Sequence, residues 1–257
     1  MKIIILAAGI GSRLGNPFPK PLTPLKDGKS IMQRQINNIT TYFDVNDITT
    51  VVGFKKNLIM EQFPEVNYVY NPFFDRTNTS KSLLRALKKH RGNSILWFNG
   101  DVVFDHQLLS LLLEDINNNQ SFVSVNTQSV SDEEVKYTLK DGYVQYLSKE
   151  VKNGLGEAVG INFISSNDLD VFINQLETCD DNDYFEKGLE MAIANDHLKL
   201  KVIDISKYNC IEVDFKEDLK NANEIVITNY EDYFILYESI FFWNFRTRYA
   251  SFKRKEV

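Results

Sequence analysis

Leu6-Ala7-Ala8-Gly9-Ile10-Gly11-Ser12-Arg13-Leu14-Gly15, followed by Pro19-Lys20-Pro21-Leu22, decides how this chain is read. It emerges from Ile3-Ile4-Ile5, a β-branched apolar run of the kind that forms a strand buried on both faces. The glycines let the main chain approach a ligand closely and aim successive N–H groups at phosphate oxygens. Arg13 and Lys20 supply the positive charge such a ligand needs. Two commoner phosphate motifs are absent: there is no Gly-Lys-[Ser/Thr], and Leu14 stands where a dinucleotide fingerprint has its third glycine. Pro17, Pro19 and Pro21 block a regular helix straight after the glycines, so the loop is expected to run extended around a triphosphate.

Outward from this loop, further apolar runs read as strands at 49–52, 66–70, 94–98 and 122–125. Helical periodicity falls between them, at 31–39 behind Ser30 as cap, 58–63, 83–90 and 107–116. This alternation predicts an α/β fold: a single Rossmann-like domain whose mixed, mainly parallel sheet is flanked by helices. The rhythm changes near residue 130. Segments 135–139 and 143–147 flank Asp141-Gly142, the signal of an inserted hairpin. A strand at 157–164, helices at 168–176 and 184–193, and a strand at 198–204 follow. The expected organisation is one domain over 1–224 with an acceptor-side lobe at about 130–165, then a C-terminal helical appendage over 225–257.

Composition narrows the function. The 257 residues are 43% hydrophobic and 25% charged, with no apolar run near the roughly 20 residues of a membrane helix. Their 29 Lys and Arg against 35 Asp and Glu argue against a surface built for nucleic acid. Cys179 and Cys210 form no CxxC and read as buried thiols. With no export signal in the opening residues, a cytoplasmic setting is expected. His90, His106 and His197 have neither metal nor triad spacing and read as structural or solvated.

Two acids stand out. Ile95-Leu96-Trp97-Phe98-Asn99-Gly100-Asp101 sets a carboxylate just after a buried strand and a glycine, at the sheet edge where α/β proteins bind ligands. Taken alone, such an Asp is an ordinary turn or cap residue. Beside a triphosphate loop it becomes a metal ligand, because Mg²⁺ takes few carboxylates plus phosphate oxygens. Asp214, in Ile211-Glu212-Val213-Asp214-Phe215-Lys216-Glu217-Asp218, is the second candidate; its local alternative is a helix cap with Glu217 completing a capping box. Glu212 points either way. Lys149, after the hairpin, is placed to screen an acceptor phosphate. If a second phosphate-bearing substrate met a triphosphate here, holding the two anions in line and screening their repulsion would supply the acceleration, with no protein nucleophile needed.

LAAGIGSRL with PKPL resembles the signature of the nucleotidyltransferases that join a nucleoside monophosphate to a sugar phosphate or small alcohol phosphate. The resemblance runs over about residues 1–223 in motif order and is specific at a few islands. It implies that Arg13 and Lys20 contact the triphosphate and that Leu6, Ala7, Ala8, Gly9, Gly11 and Ser12, with Gly100, line the nucleotide. It also implies that Asp101 and Asp214 share magnesium. The pattern Asn71, then Thr77-Asn78, then Ser82-Leu83 looks more like the small-alcohol cytidylyltransferases, phosphocholine enzymes included, and puts Asn78 and Ser82 near the nucleotide; helix capping and turn formation account for part of this stretch. Glu157 resembles an acid used near the acceptor.

The expectation is therefore an Mg²⁺-dependent nucleotidyltransferase. It would use CTP and a phosphorylated small alcohol, amino alcohol or sugar, in the service of cell-surface polysaccharide biosynthesis. The alternatives are a sugar-1-phosphate transferase using UTP or dTTP and a nucleotide-sensing module of the same fold. A glycosyltransferase fits less well, since Asp101-Val102-Val103 lacks a DxD pair. From Tyr230 onward an aromatic segment ends in a basic tail. It reads as a helix packed on the domain or across a homodimer, with peripheral membrane contact as the sharper alternative.

Overall fold

The computed structural model describes residues 1–128, 130 and 134–225. In chain order the strands are β1 (Lys2–Ala7), β2 (Ile48–Val52), β3 (Asn67–Tyr70), β4 (Ile95–Asn99), β5 (Val102–Phe104) and β6 (Phe122–Asn126). The later ones are β7 (Lys136–Lys140), β8 (Tyr143–Ser148), β9 (Glu157–Ile164), β10 (Lys201–Asp204) and β11 (Cys210–Glu212). The helices are α1 (Ile31–Ile39), α2 (Lys56–Gln62), α3 (Thr79–Lys89), α4 (Leu108–Asn117), α5 (Leu169–Thr178) and α6 (Phe185–Asp196), with α7 over 216–225.

The sheet order is β10-β6-β9-β4-β1-β2-β3. β4, β1, β2 and β3 run parallel, β9 runs antiparallel between β4 and β6, and β10 is parallel to β6. This is the mixed, mainly parallel sheet expected. β1 reads as continuous isoleucine because both its faces are covered. Ile4 joins Trp97, Leu87, Phe172 and Phe185 beneath α3, α5 and α6, whereas Ile3 and Ile5 join Phe98, Phe163, Ile36 and Leu109 beneath α1 and α4. Each such fully buried side chain contributes about 1.5–3 kcal/mol. The β7–β8 hairpin turns through Asp141 and Gly142, both at positive φ (53° and 82°), as the sequence indicated.

Differences from the sequence expectation have local causes. α3 starts at Thr79, four residues before the apolar periodicity, because the Asn78 carboxamide accepts from the Thr79 N–H at 2.8 Å. Two short strands, β5 and β11, escaped detection: three residues each is below what a period-2 pattern can show. Cys179 is buried as expected, but Cys210 is only partly so. The appendage over 225–257 lies outside the described residues beyond residue 225, and with it the expected dimer or membrane contact. Among the described residues, no helix is long and apolar enough to cross a membrane.

His90, read from sequence as structural or solvated, ends α3 with Nε2 2.9 Å from Thr49 Oγ1. Burial, aided by Lys89 and Lys2, lowers its pKa, so the folded protein holds it neutral while the unfolded chain protonates it near pH 6.5. The stability it contributes is present above about pH 6.5 and is lost as pH falls through the interval below. Urea unfolding should show the advantage of wild type over His90→Gln shrinking between about pH 7.5 and 5.5; an advantage independent of pH would refute this.

Candidate active site

The antiparallel pairing of β5 with β11 builds the site. Cys210 lies opposite Phe104, Ile211 opposite Val103 and Glu212 opposite Val102, and the Val213 N–H continues the ladder to the Asp101 carbonyl at 3.0 Å. This register delivers Asp101 and Asp214 to the same place from segments far apart in sequence. The ribbon is held from below by a small apolar cluster of Leu14, Leu25, Ile31, Val103, Val213 and Ala222, which anchors the glycine loop, α1 and α7 to it. Gln35 of α1, buried, donates from Nε2 to the Asn99 and Val102 carbonyls at 2.8 and 2.9 Å and braces the turn that carries Asp101.

Lys20 closes the arrangement. Its Nζ donates to Asp101 Oδ2 at 2.6 Å and to Asp214 Oδ1 at 2.5 Å, and Arg13 Nη1 donates to Asp214 Oδ2 at 2.8 Å. Burial works to lower the Lys20 pKa, but the charges and hydrogen bonds of the two carboxylates outweigh it and raise it. Burial pushes Asp214 upward, and Lys20 and Arg13 reverse this and hold it below the ordinary carboxylate value. Lys20 is 8% exposed, so its ion pairs are little screened, whereas the Arg13 side chain is 52% exposed and contributes less to stability.

Two glycines permit the packing. A Cβ on Gly11, at φ 66°, would lie 2.7 Å from the Lys20 Cβ, and one on Gly100 would lie 2.4 Å from the Leu6 carbonyl oxygen. The loop is not fully extended: Ser12–Leu14 and Lys20–Leu22 each form a 3-10 turn. The prolines exclude an α-helix there but not a single tight turn, and the Gly15 N–H closes the first on the Ser12 carbonyl at 3.1 Å. Asp214 does not cap α7 with Glu217. Its carboxylate is taken by Lys20 and Arg13, and Asp218 Oδ2 instead accepts from the Asp214 and Phe215 N–H groups at 3.0 and 2.7 Å.

Above these residues opens a cavity of about 690 Å³, ample for a nucleotide and a small acceptor. Leu6, Ala7, Gly9, Gly11, Ser12, Arg13, Lys20, Gly100, Asp101, Lys149, Glu157 and Asp214 all line it. Three residues expected near the nucleotide do not. Ala8 is buried below the loop, where its carbonyl accepts from the Phe54 N–H at 3.0 Å. Asn78 caps α3 and donates to the Asn182 carbonyl at 3.2 Å, and Ser82 Oγ is buried, accepting from Asn71 Nδ2 at 3.0 Å. What this stretch does is dock α6. The Asn78 and Ser80 N–H groups bond the Asp181 and Asp183 carbonyls at 2.7 and 3.3 Å, and Thr79 Oγ1 accepts from the Phe185 N–H at 3.1 Å.

That docking presents Tyr184 and Glu186 to the cavity, and the Lys149 ammonium lies 5.1 Å over the Tyr184 ring. Glu186 and Glu134 carried no motif and were not foreseen; Glu212, left ambiguous by sequence, turns inward and accepts from Asn99 Nδ2 at 3.0 Å. Burial pushes Glu186 up to about 7, opposed by its own backbone N–H and Lys149. Burial, then the charges of Asp101 and Glu134, raise Glu212 well above the carboxylate range. Glu134 is raised by burial and Glu157.

The donors suit a hard divalent cation. Asp101 Oδ1 is buried without a partner, two carboxylates converge, and one ammonium already occupies the space between them as a cation. No three acidic, His or Cys side chains among the described residues are grouped to hold a metal unaided, which accords with an ion completed by phosphate oxygens. A mixed, mainly parallel α/β core, a glycine loop with two cations and two converging carboxylates thus meet at one cavity.

The chain belongs to the MobA-like NTP transferase domain family, which it matches over residues 3–158. Among curated relatives, the Bifunctional protein GlmU of Methanococcus aeolicus is 32% identical over 46% of this chain and 29% of its own length. The CMP-5'-(3-aminopropyl)phosphonate synthase of Streptomyces rubellomurinus is 31% identical over 44% of this chain and 19% of its own. The chain thus spans less than a third of the length of these relatives. In fold it is similar to the inositol-1-phosphate CTP transferase from T. maritima (TM-score 0.71, 15% identity, 87% of this chain and 95% of that one). It is likewise similar to the CTP:phosphocholine cytidylyltransferase of Streptococcus pneumoniae (TM-score 0.67, 20% identity, 88% and 98%).

Lys20 neutralises two carboxylates that would otherwise repel each other. Lys20→Met should lower metal-free stability by about 1–4 kcal/mol, between the values for exposed and for buried pairs. Millimolar Mn²⁺ should restore more of the melting temperature in this variant than it adds to wild type. Equal Mn²⁺ responses in thermal denaturation would show that the two acids do not form a common cation site.

Proposed function

We propose that this chain is an Mg²⁺-dependent cytidylyltransferase that transfers CMP from CTP to a phosphorylated small alcohol, amino alcohol or sugar and releases pyrophosphate. The carrying observation is the convergence of Asp101, Asp214, Lys20 and Arg13 at the mouth of the glycine loop. The two proteins of similar fold are CTP transferases and the Streptomyces relative is a CMP-phosphonate synthase, which supports the choice of nucleotide. Asp101 and Asp214 would hold the divalent ion, which screens the phosphates from one another.

In the reaction, an acceptor phosphate oxygen attacks the α-phosphorus, a new P–O bond forms, and the bond to the β-phosphate breaks. The electron pair leaves with pyrophosphate. Arg13 and Lys20, together with the N–H groups of the loop, stabilise the charge that builds on it. For this Lys20 must exchange its carboxylates for phosphate oxygens, a short movement of a flexible side chain. Lys149 orients the acceptor phosphate, and Gly9, Gly11, Ser12 and Gly100 leave room for the nucleotide backbone.

A second reading, transfer of dTMP or UMP to a sugar 1-phosphate, rests on a comparable fold likeness to a glucose-1-phosphate thymidylyltransferase from Bacillus anthracis (TM-score 0.66). Pyrophosphate release with CTP, UTP, dTTP and ATP over a panel of phosphorylated acceptors separates the two, with CTP expected to lead. Asp101→Asn should cut release by about 100-fold or more, with the fold retained by circular dichroism. A loss below tenfold would remove Asp101 from the metal site.

A further inference from the structure

β3 is the last strand of the sheet, and at its end aromatic rings and cations alternate in one continuous surface. The Lys56 ammonium lies 3.6 Å over the Tyr70 ring, and that of its neighbour Lys55 lies 5.3 Å over the ring of Phe54. Phe54 packs against Phe74, with ring centroids 6.4 Å apart. One residue earlier, Phe73 takes the Arg76 and Arg85 guanidinium groups at 4.3 and 5.3 Å from its ring centre. Leu58, Met60, Tyr70 and Phe73, all on the segments that border this edge, are exposed. The surface is firm at its root. The Phe54 N–H bonds the Ala8 carbonyl at 3.0 Å, Lys55 donates to the Pro17 carbonyl, and a Cβ on Gly53 would lie 2.5 Å from both the Ala8 oxygen and the Phe74 Cβ.

These cations lack the partners that others have. Lys2, Arg34, Lys88, Arg91 and Lys201 are each paired with an aspartate or glutamate. Among the described residues, Lys55, Lys56, Arg76 and Arg85 form no ion pair, although Glu61, Glu65 and Asp75 belong to the same segments. Neither guanidinium donates a hydrogen bond to a described residue, and Arg85 Nε is buried without a partner. A guanidinium fork with no carboxylate is matched by phosphate, which it binds through two parallel N–H bonds. Stacking on the rings explains where the cations lie but leaves their charge in place. The chain carries a formal charge of -6, so this surface runs against the sign of the whole.

We propose that this surface docks on an anionic phospholipid bilayer, with Lys56, Arg76 and Arg85 on lipid phosphates and the Tyr70 and Phe73 rings at headgroup level. Exposed aromatic and aliphatic side chains interleaved with unpaired cations are the composition of an interfacial membrane face. Lipid phosphates match the arginine forks, and the acyl boundary takes Leu58, Met60 and the rings. A bilayer therefore answers both halves of the composition, where a purely acidic partner answers one. Each Lys or Arg near an anionic leaflet raises partitioning about fivefold, so four of them give a reversible contact rather than an anchor. The surface includes no residue beyond 225 and none assigned above to catalysis, so it stands apart from the cytidylyltransferase reading.

Flotation of the full chain with lipid vesicles tests this. Vesicles of phosphatidylglycerol and phosphatidylcholine in equal parts should carry the protein upward at about 0.05 M salt and release most of it at about 0.5 M, where charges are screened within a few ångströms. Vesicles of phosphatidylcholine alone should leave it behind. Arg76→Gln combined with Arg85→Gln should lower partitioning into the anionic vesicles about 25-fold, with the circular dichroism spectrum unchanged. Lys56→Gln combined with Tyr70→Ser, at the other end of the surface, should lower it about fivefold or more and decides the matter if the arginine variant does not fold. No flotation, or equal flotation with neutral vesicles, would overturn the proposal. So would a loss below about threefold in the folded variants, which would assign the contact to another part of the chain. Retention on soluble polyglutamate without flotation would overturn it in favour of an acidic protein partner.

Discussion

One ammonium group holds the site in register. Lys20 Nζ sits between two carboxylates from distant parts of the chain, almost wholly removed from solvent. Without it, Asp101 and Asp214 would face each other as like charges at low dielectric, an arrangement that costs several kcal/mol unless one is protonated or a cation intervenes. The glycine loop, the β5–β11 ribbon and the first turn of α7 are therefore oriented by a single electrostatic contact as much as by the apolar cluster beneath them.

The sheet explains why this contact forms where it does. Parallel β1 and β4 end at the same edge, and the crossing of Leu6 over Gly100 brings the phosphate loop against the acid-bearing turn at backbone distance. The antiparallel ladder then fixes the second acid by register, so that a slip of one residue would turn its side chain to the other face. The two faces of the sheet divide the labour. The side under α1 and α4 braces the turn through Gln35, and the side under α3, α5 and α6 brings Tyr184 and Glu186 to the cavity.

Much of this was legible in the sequence because it is local. Apolar runs bounded by glycine gave the central strands, Asp141-Gly142 gave the hairpin, and the glycine loop with Arg13 and Lys20 marked one rim of the cavity. Asp101 and Asp214 could be picked out because each follows a strand next to a motif. Glu134 and Glu186 could not: nothing around them is periodic or short-spaced, and their meaning comes from burial that only the assembled walls create. Asn78 and Ser82 show the converse. Polar residues at a strand-to-helix junction suggested base recognition, but their hydrogen-bonding capacity is spent on capping α3, on the chain leading to α6 and on Asn71. β5 and β11 are too short for periodicity, and only pairing with each other makes them strands.

The ladder between residues 102–104 and 210–212 also makes the paired carboxylates a late arrival in the synthesis of the chain. A nascent chain emerging from the ribosome can assemble the strand, loop and first acid early, since these lie within its first half. The second acid follows only after the hairpin, α5 and α6 have been made. Polypeptides interrupted before that point carry the glycine loop and Asp101 but lack Asp214 and the strand that pairs with β5, so Lys20 finds only one of its two carboxylates.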